Sequence, residues 1–467
     1  MAVTNTASDP AREPEHESKR VLLAMTGICA VVVLIAFDLT IVVNILPRVA
    51  NELGGMALYA WVGTAYLLTS AVFIPIFGRL GDLFGRKPFI LVSVSIMALG
   101  SLLCGLAQSM EQLIAFRAVQ GLGGGMITAT AFTAPVDLFP DPKRRIKWQA
   151  LISTSFAVAS GFGPILGGAL TDMFGWRAAF FVTPITAIIA LVVLWRFLPR
   201  VRPKHSRPPT IDWVGGALLV VMVGSFMAGL ELGMGAGARI GIAAACFAVC
   251  IGAAVLLVVV ERRVRMPMLP LRVFASREIR FLNVVALLVG WVMFFLLFYG
   301  PLLFQTEMGL SPSETGLALA PMVAMISVGS IINGRLFGRL RQPQALMAVG
   351  CLLAMLGVLL IYLLAERMSV SGLMMVYGLC GLGFGFLVPN LSLFAQILAA
   401  QRDAGTASAL IQTLRSLGSA LGTTLIGMLV ARTSVKTGIE VGLLFAAGLC
   451  VLMLVLSWQV RIRNLPA

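Results

Sequence analysis

Residues 78–89 read GRLGDLFGRKPF, a polar, glycine-punctuated stretch between two apolar runs of about twenty residues each. Gly78, Gly81 and Gly85 free the backbone for a tight turn where a helix ends. Asp82 stands ahead of the next apolar run, where a carboxylate caps orphan N–H groups and meets the positive end of a helix. Arg79, Arg86 and Lys87 make the stretch net positive, the charge expected of a short cytoplasmic loop. Two membrane helices joined by a cytoplasmic turn are predicted.

Composition extends this to the whole chain. Of 467 residues 59% are apolar and 12% charged, far from the balance of a soluble domain. Fourteen apolar runs can be drawn, at about 21–46, 57–77, 88–107, 112–136, 148–171, 178–199, 213–233, 240–260, 281–306, 315–334, 345–365, 369–395, 404–430 and 437–460. Most reach the roughly twenty residues that cross a bilayer. With the N-terminus inside, 27 of the 35 Lys and Arg fall on the cytoplasmic side. Arg48, Arg177, Arg239, Arg367, Arg432 and Lys436 fall outside, and Arg117 and Arg415 within runs. The net charge of +15 is therefore topological, which excludes nucleic acid as its purpose and sets both termini in the cytoplasm.

The first twenty residues carry both signs, so no cleavable signal is expected. All seven cysteines lie in apolar runs, and His16 and His205 lie on the cytoplasmic side. Cys246 and Cys250 share a helix face but read as packing residues, so neither metal nor disulfide is expected.

The chain also repeats itself. Gly121, Leu122, Gly123 and Gly125 recur as Gly381, Leu382, Gly383 and Gly385 at an offset of 260; Gly163 and Gly167 recur as Gly418 and Gly422 at 255. Gly78, Arg79 and Leu80 recur as Gly334, Arg335 and Leu336 at 256. Three similar offsets point to two homologous halves. Six helices occupy about 180 residues here, so two further helices separate the halves. The predicted domains are a tail (1–20), a six-helix bundle (21–199), a linker with two extra helices (200–280), a second six-helix bundle (281–460) and a tail (461–467).

The 78–89 stretch resembles, at its defining positions, the loop between helices 2 and 3 of the major facilitator superfamily, G-x-L-[A/G]-D-x-x-G-R-[K/R]. Apart from the N-terminal tail, the whole chain resembles that superfamily's fourteen-helix drug:proton antiporter branch. Residues 38–47, DLTIVVNILP, are similar to its D-x-T-I-V-N-V-A-L-P, with Asn44 one position late and Ile45 in place of a small residue. Residues 117–121, RAVQG, resemble its R-x-x-Q-G. Gly175, Trp176 and Arg177, Asp212 and Trp213, and Ala407 and Ser408 through Arg415 and Gly422 also fit. The fifth run resembles G-x8-G-x3-G-P-x2-G-G, the segment that separates exporters from importers. Gly163, Pro164, Gly167 and Gly168 match it, while Ala150 and Ala159 replace its first two glycines. Small residues four apart let helix backbones approach, and the proline permits a kink. The resemblance implies an all-α major facilitator fold and export by antiport. It assigns a gating or conformational role to Gly78, Asp82, Gly85, Arg86, Gly163, Pro164, Gly167, Gly168 and Arg415.

Charge at bilayer depth marks where mechanism lies, because a carboxylate there costs at least about 2.5–3.5 kcal/mol. Among twenty acidic residues Asp38 alone lies well inside an apolar run; Asp137, Glu231 and Glu307 lie near run ends. Asp38 and Arg117 sit at similar depth, roughly 8–14 Å beneath the outer boundary at 1.5 Å per residue. In the superfamily the first and fourth helices line the cavity, so the two can meet, as a proton carrier with its partner or as a fixed salt bridge. Arg415 either binds an anionic group or locks against Asp82 or backbone carbonyls. Trp291, Phe295, Phe298 and Tyr299 form a stripe that either stacks on a lipophilic or cationic ligand or faces lipid and neighbouring helices. Asn390 is a polar substrate-binding candidate, with Asn283 and Gln396 alongside it.

No nucleophile, acid/base pair, metal cluster or phosphate loop lies at bilayer depth, which argues against an enzyme. Every loop is short, which argues against a sensor with a soluble output domain. The expected function is a proton-coupled exporter of drug-like or lipophilic small molecules in the inner or plasma membrane, working by alternating access. The alternative is a proton-coupled exporter or symporter of an endogenous metabolite on the same fold. The expected partners are substrate, protons and membrane lipid, with a monomer as the working unit and the proton gradient in place of any cofactor. Whether a periplasmic adaptor joins it is not fixed by the sequence.

Overall fold

The computed structural model describes residues 14–139, 142–201, 212–234, 239–264, 276–337, 340, 342–399 and 404–460. Within them the chain is helical: α1 (Pro14–Leu53), α2 (Tyr59–Phe84), α3 (Arg86–Gly105), α4 (Met110–Ala131), the short α5 (Ala134–Leu138), α6 (Pro142–Phe174) and α7 (Trp176–Phe197). There follow α8 (Trp213–Met234), α9 (Ile240–Arg263), α10 (Arg277–Thr306), α11 (Pro312–Phe337), α12 (Gln344–Leu364), α13 (Val370–Leu398), α14 (Ala404–Arg432) and α15 (Val435–Gln459). Among the described residues, eleven of these are long and apolar enough to cross a membrane, where the sequence offered fourteen runs. The difference lies in α4, α6 and α8. Arg117, Gln120 and a glycine cluster lower the hydropathy of α4, while α8 contributes a shorter apolar stretch, Trp213–Phe226.

Helix starts follow local chemistry. Ser109, Ser276, Ser369 and Ser434 each accept a hydrogen bond from a backbone N–H in the first turn of α4, α10, α13 and α15. Asp212 does the same for α8 through Gly215 N, at 2.7 Å.

The turn at 78–89 is tighter than its three glycines predict. Helix α2 runs through Gly78, Gly81 and Asp82 to Phe84, and α3 begins at Arg86. The whole reversal falls on Gly85, whose φ of +88° an L side chain rarely adopts. Asp82 is therefore inside α2, and Gly85, the residue ahead of α3, offers no side-chain cap. Gly81 instead buys closeness: a Cβ there would lie 3.2 Å from Arg86 Cγ and 3.6 Å from Thr130 of α4.

Packing in the first half repeats in the second. Helix α1 packs on α6 and α7, α2 on α4, and α3 on α4 and α7. Correspondingly, α10 packs on α14 and α15, α11 on α13, and α12 on α13 and α15. The halves meet along two matching seams, α6 against α11 and α14 against α2. Helices α8 and α9 pack on each other; α8 leans on α2 and α14 through Leu219 and Val223, which meet Val72, Ile76 and Leu80, while Ile251 and Val255 of α9 are exposed. An exposed apolar face of this kind is what lipid contact requires.

Candidate functional site

The R-x-x-Q register of α4 places Arg117 and Gln120 one turn apart, on one face. Both point at Asp38 of α1. Arg117 Nη1 donates to Asp38 Oδ2 at 2.9 Å and to Gln120 Oε1 at 2.6 Å. Gln120 Nε2 donates to the other carboxylate oxygen, Asp38 Oδ1. Arg117 Nε reaches Val62 O at 3.4 Å, and its guanidinium lies 4.3 Å from the centroid of the Tyr66 ring. All four side chains are buried, Asp38 at 3% exposure. Such a pair survives at depth because both carboxylate oxygens and much of the guanidinium are satisfied. Gln120 and Tyr66 were not expected in this cluster. The spacing of Gln120 from Arg117 in the motif was the available signal for the first; Tyr66, an aromatic in an apolar helix, gave none.

The turn at Gly85 ties the first half together at one end of the bundle. Arg86 forms an ion pair with Asp137 of α5. Lys87 Nζ donates to Trp195 O at 2.8 Å, near the C-terminus of α7, where carbonyls lack helical partners. The side chains of Arg79, Asp82, Ala150 and Glu231 lie outside the described residues.

The opposite end is closed between the halves. Asn44 Nδ2 donates to Pro164 O of α6 at 2.8 Å and to Pro312 O of α11 at 3.0 Å, while Asn44 O accepts from Gln305 of α10 at 2.9 Å. Thr64 of α2 hydrogen-bonds Thr423 and Thr424 of α14 at 2.9 and 3.0 Å. Tyr59 OH donates to Phe298 O at 2.7 Å, and Ser313 donates to Asp172. Gly163, Gly167 and Gly168 permit this closeness. A Cβ on Gly163 would collide with Thr40 of α1, one on Gly167 would crowd Ile41, and one on Gly168 would press on the Pro312 carbonyl. Helix α6 runs on through Pro164.

The four substrate-binding candidates each have protein neighbours. Trp291, Phe295 and Tyr299 are buried in packing: Trp291 against Phe445 at 5.1 Å and Phe295 at 5.4 Å between ring centroids, Tyr299 through a 2.6 Å hydrogen bond to Thr423 O. The helical period gathers the rings on one face; their neighbours on α14 and α15 decide what that face meets. Asn390 pairs reciprocally with Asn333 of α11 at 2.8 and 3.0 Å, and both are buried. Arg415 donates to Gln412 Oε1 at 2.9 Å.

A family model described as Major Facilitator Superfamily matches residues 28–423. The multidrug transporter protein MdtP of Bacillus subtilis is 32% identical over 417 residues, 88% of this chain and 75% of the relative. Multidrug resistance protein 3 of the same organism is 32% identical over 410 residues, covering 86% and 78%. The efflux pump dotC of Dothistroma septosporum is 31% identical over 415 residues, covering 86% and 69%. A bacterial homologue of the human lysosomal transporter Spinster, solved inward-facing and occupied, superposes with a TM-score of 0.67 at 17% identity over 97% of each chain. The human organic anion transporter MFSD10 (TETRAN) does so with 0.60 at 18% identity, over 95% of this chain and 100% of the other. This is a multi-pass membrane transporter, not an enzyme, and it belongs to the Major Facilitator Superfamily.

Proposed function

We propose that the protein is a proton-coupled exporter of drug-like, lipophilic small molecules, with fourteen membrane spans and both termini cytoplasmic. The observation that carries this reading is the buried Asp38 carboxylate, held by Arg117 and Gln120 between α1 and α4. In this reading the Asp38 carboxylate is the group of the cluster that gains and loses the proton. Protonation discharges Asp38 and loosens its hold on Arg117; deprotonation restores it, so the load on Asp38 biases α1 against α4.

In this reading the Asn44 end faces outward and the Gly85 end inward, the hydrogen-bonded closure being the outer gate. Asp82 and Arg86 hold the inner side shut when the gate opens, and Gly78 and Gly85 set the spacing of that lock. Gly163, Pro164, Gly167 and Gly168 form the sliding surface of α6. One proton crossing 100 mV supplies about 2.3 kcal/mol and one pH unit about 1.4. At 1:1 with a neutral solute that sustains a gradient of several hundredfold, on the order of 1.4 kcal/mol per tenfold.

The test is ethidium accumulation in proteoliposomes with an imposed pH gradient. Molecules inserted inside-out should load ethidium when the lumen is acidic and stop when nigericin collapses the gradient. Loading that ignores nigericin refutes the coupling, and loading driven only by the opposite gradient assigns symport instead.

A further inference from the structure

Resting on the transport reading above, we propose that Arg415 and Gln412 of α14 form a recognition point for an anionic group, a carboxylate or sulfonate, on a transported molecule. A guanidinium within a membrane helix is costly and is normally paired. Arg117 has Asp38 at 2.9 Å. Among the described residues Arg415 has no carboxylate within ion-pair reach, and its one hydrogen bond goes to the neutral amide of Gln412.

The register of α14 sets where this pair faces. Gly418 abuts Leu287 of α10, Gly427 abuts Ala60 of α2, and Leu417 packs in the apolar cluster of α2 and α8. Arg415 lies about 200° from Leu417 around the helix, at 100° per residue, so it is turned away from the peripheral pair. Ser408, on the same side, hydrogen-bonds Gln396 of α13 at 2.8 Å. Gly422, about 20° from Arg415 around the helix, abuts Trp291 of α10, and a Cβ on Gly290 would meet the Arg415 carbonyl, so Arg415 stands on the α10 side of α14, and its side chain remains partly accessible. It lies eight residues from Thr423, about 12 Å from the hydroxyl closure toward the Gly85 end.

Packing does not demand the charge. The repeat aligns Arg415 with Ser160 of α6, which is buried and fits the matching slot without a hydrogen-bond partner. What the second half has in addition is a donor fork. The Gln412 carbonyl is used on Arg415, which leaves the remaining guanidinium N–H groups and the Gln412 amide N–H groups to face a planar anion. Arginine suits that geometry better than lysine.

The probes are 1-pyrenebutyrate and its neutral methyl ester, titrated onto the purified protein and read by energy transfer from tryptophan. The wild type should prefer the acid, Arg415→Gln should weaken the acid about tenfold with the ester within about twofold, and Gln412→Leu should fall between. Arg415→Lys, which keeps charge but loses the fork, should reduce the preference about threefold and carries the test alone if Arg415→Gln does not insert. A wild type without preference for the acid, equal weakening of both probes, or a preference unmoved in the variants overturns the proposal. Added phosphatidylglycerol should leave the preference intact; its abolition would assign the anion to a lipid headgroup and likewise overturn it. Ethidium loading of the wild type is read separately, so a chain that exports ethidium yet ignores the acid refutes this site and leaves the transport function standing.

Discussion

At the scale of the residue, the Asp38 cluster divides its labour between charge and shape. Asp38→Asn retains hydrogen-bonding capacity toward Arg117 and Gln120 but removes the proton site. It should insert and fold, yet release no protons when drug is added to the detergent-solubilised protein; release at the wild-type level would exclude Asp38 as the carrier. Asp38→Glu keeps a titratable group and should retain part of the activity. Asp82→Asn, on the other side of the bundle, should slow turnover several-fold with ethidium affinity within about twofold, because removing a conformational lock changes rates more than binding. A parallel fall in affinity would make Asp82 a folding or substrate residue. The meeting of Asp38 and Arg117 was legible in the sequence because charge in apolar runs is rare and conspicuous. Gln120 was half-legible through its motif, and Tyr66 was hidden, since an aromatic ring is common in any membrane helix.

At the scale of the element, α6 is the part whose sequence most tightly fixes its neighbours. Gly163 and Gly167 turn toward α1, while Gly168 turns toward the start of α11, so one helix closes two contacts with a bare backbone. Gly168→Val should destabilise the protein by about 1–3 kcal/mol through overpacking. It should also make a cysteine placed at Thr64 more reactive to a water-soluble thiol reagent, since the closure is pushed apart. A variant with wild-type melting and a shielded Thr64 position would show that the seam tolerates bulk. The small-residue pattern announced close packing, but not the partners. That Pro164 would offer its carbonyl to Asn44 was invisible, because Asn44 lies one position off the motif and 120 residues away. The 78–89 turn shows the same limit: three glycines look alike in sequence, and only the one at the reversal, Gly85, needs its positive φ.

At the scale of the molecule, helix contacts within α1–α7 recur within α10–α15. Two of the three glycine offsets, Gly121 to Gly125 with Gly381 to Gly385 and Gly163 and Gly167 with Gly418 and Gly422, fall where neighbouring helices approach closely, whereas Gly78 and Gly334 have no such neighbour. Helices α8 and α9 pack on each other, and α8 leans on the α2–α14 seam. Cysteines scanned across 213–233 and 240–260 should therefore be protected by substrate at few positions, and a continuous protected, water-accessible stripe would bring the pair into the pathway. The closure at the Asn44 end has a consequence of another kind. Asn44, Gln305, Tyr59, Thr64, Thr423 and Thr424 make their bonds there through groups that carry no formal charge, and Asp172, which accepts from Ser313, adds a carboxylate only at the rim. Parting them moves little charge through the bilayer and meets little ionic screening. In the proposed cycle, voltage therefore acts mainly on the step that loads the proton on Asp38, while salt, which screens exposed charge, acts at the Ser313–Asp172 rim of the closure.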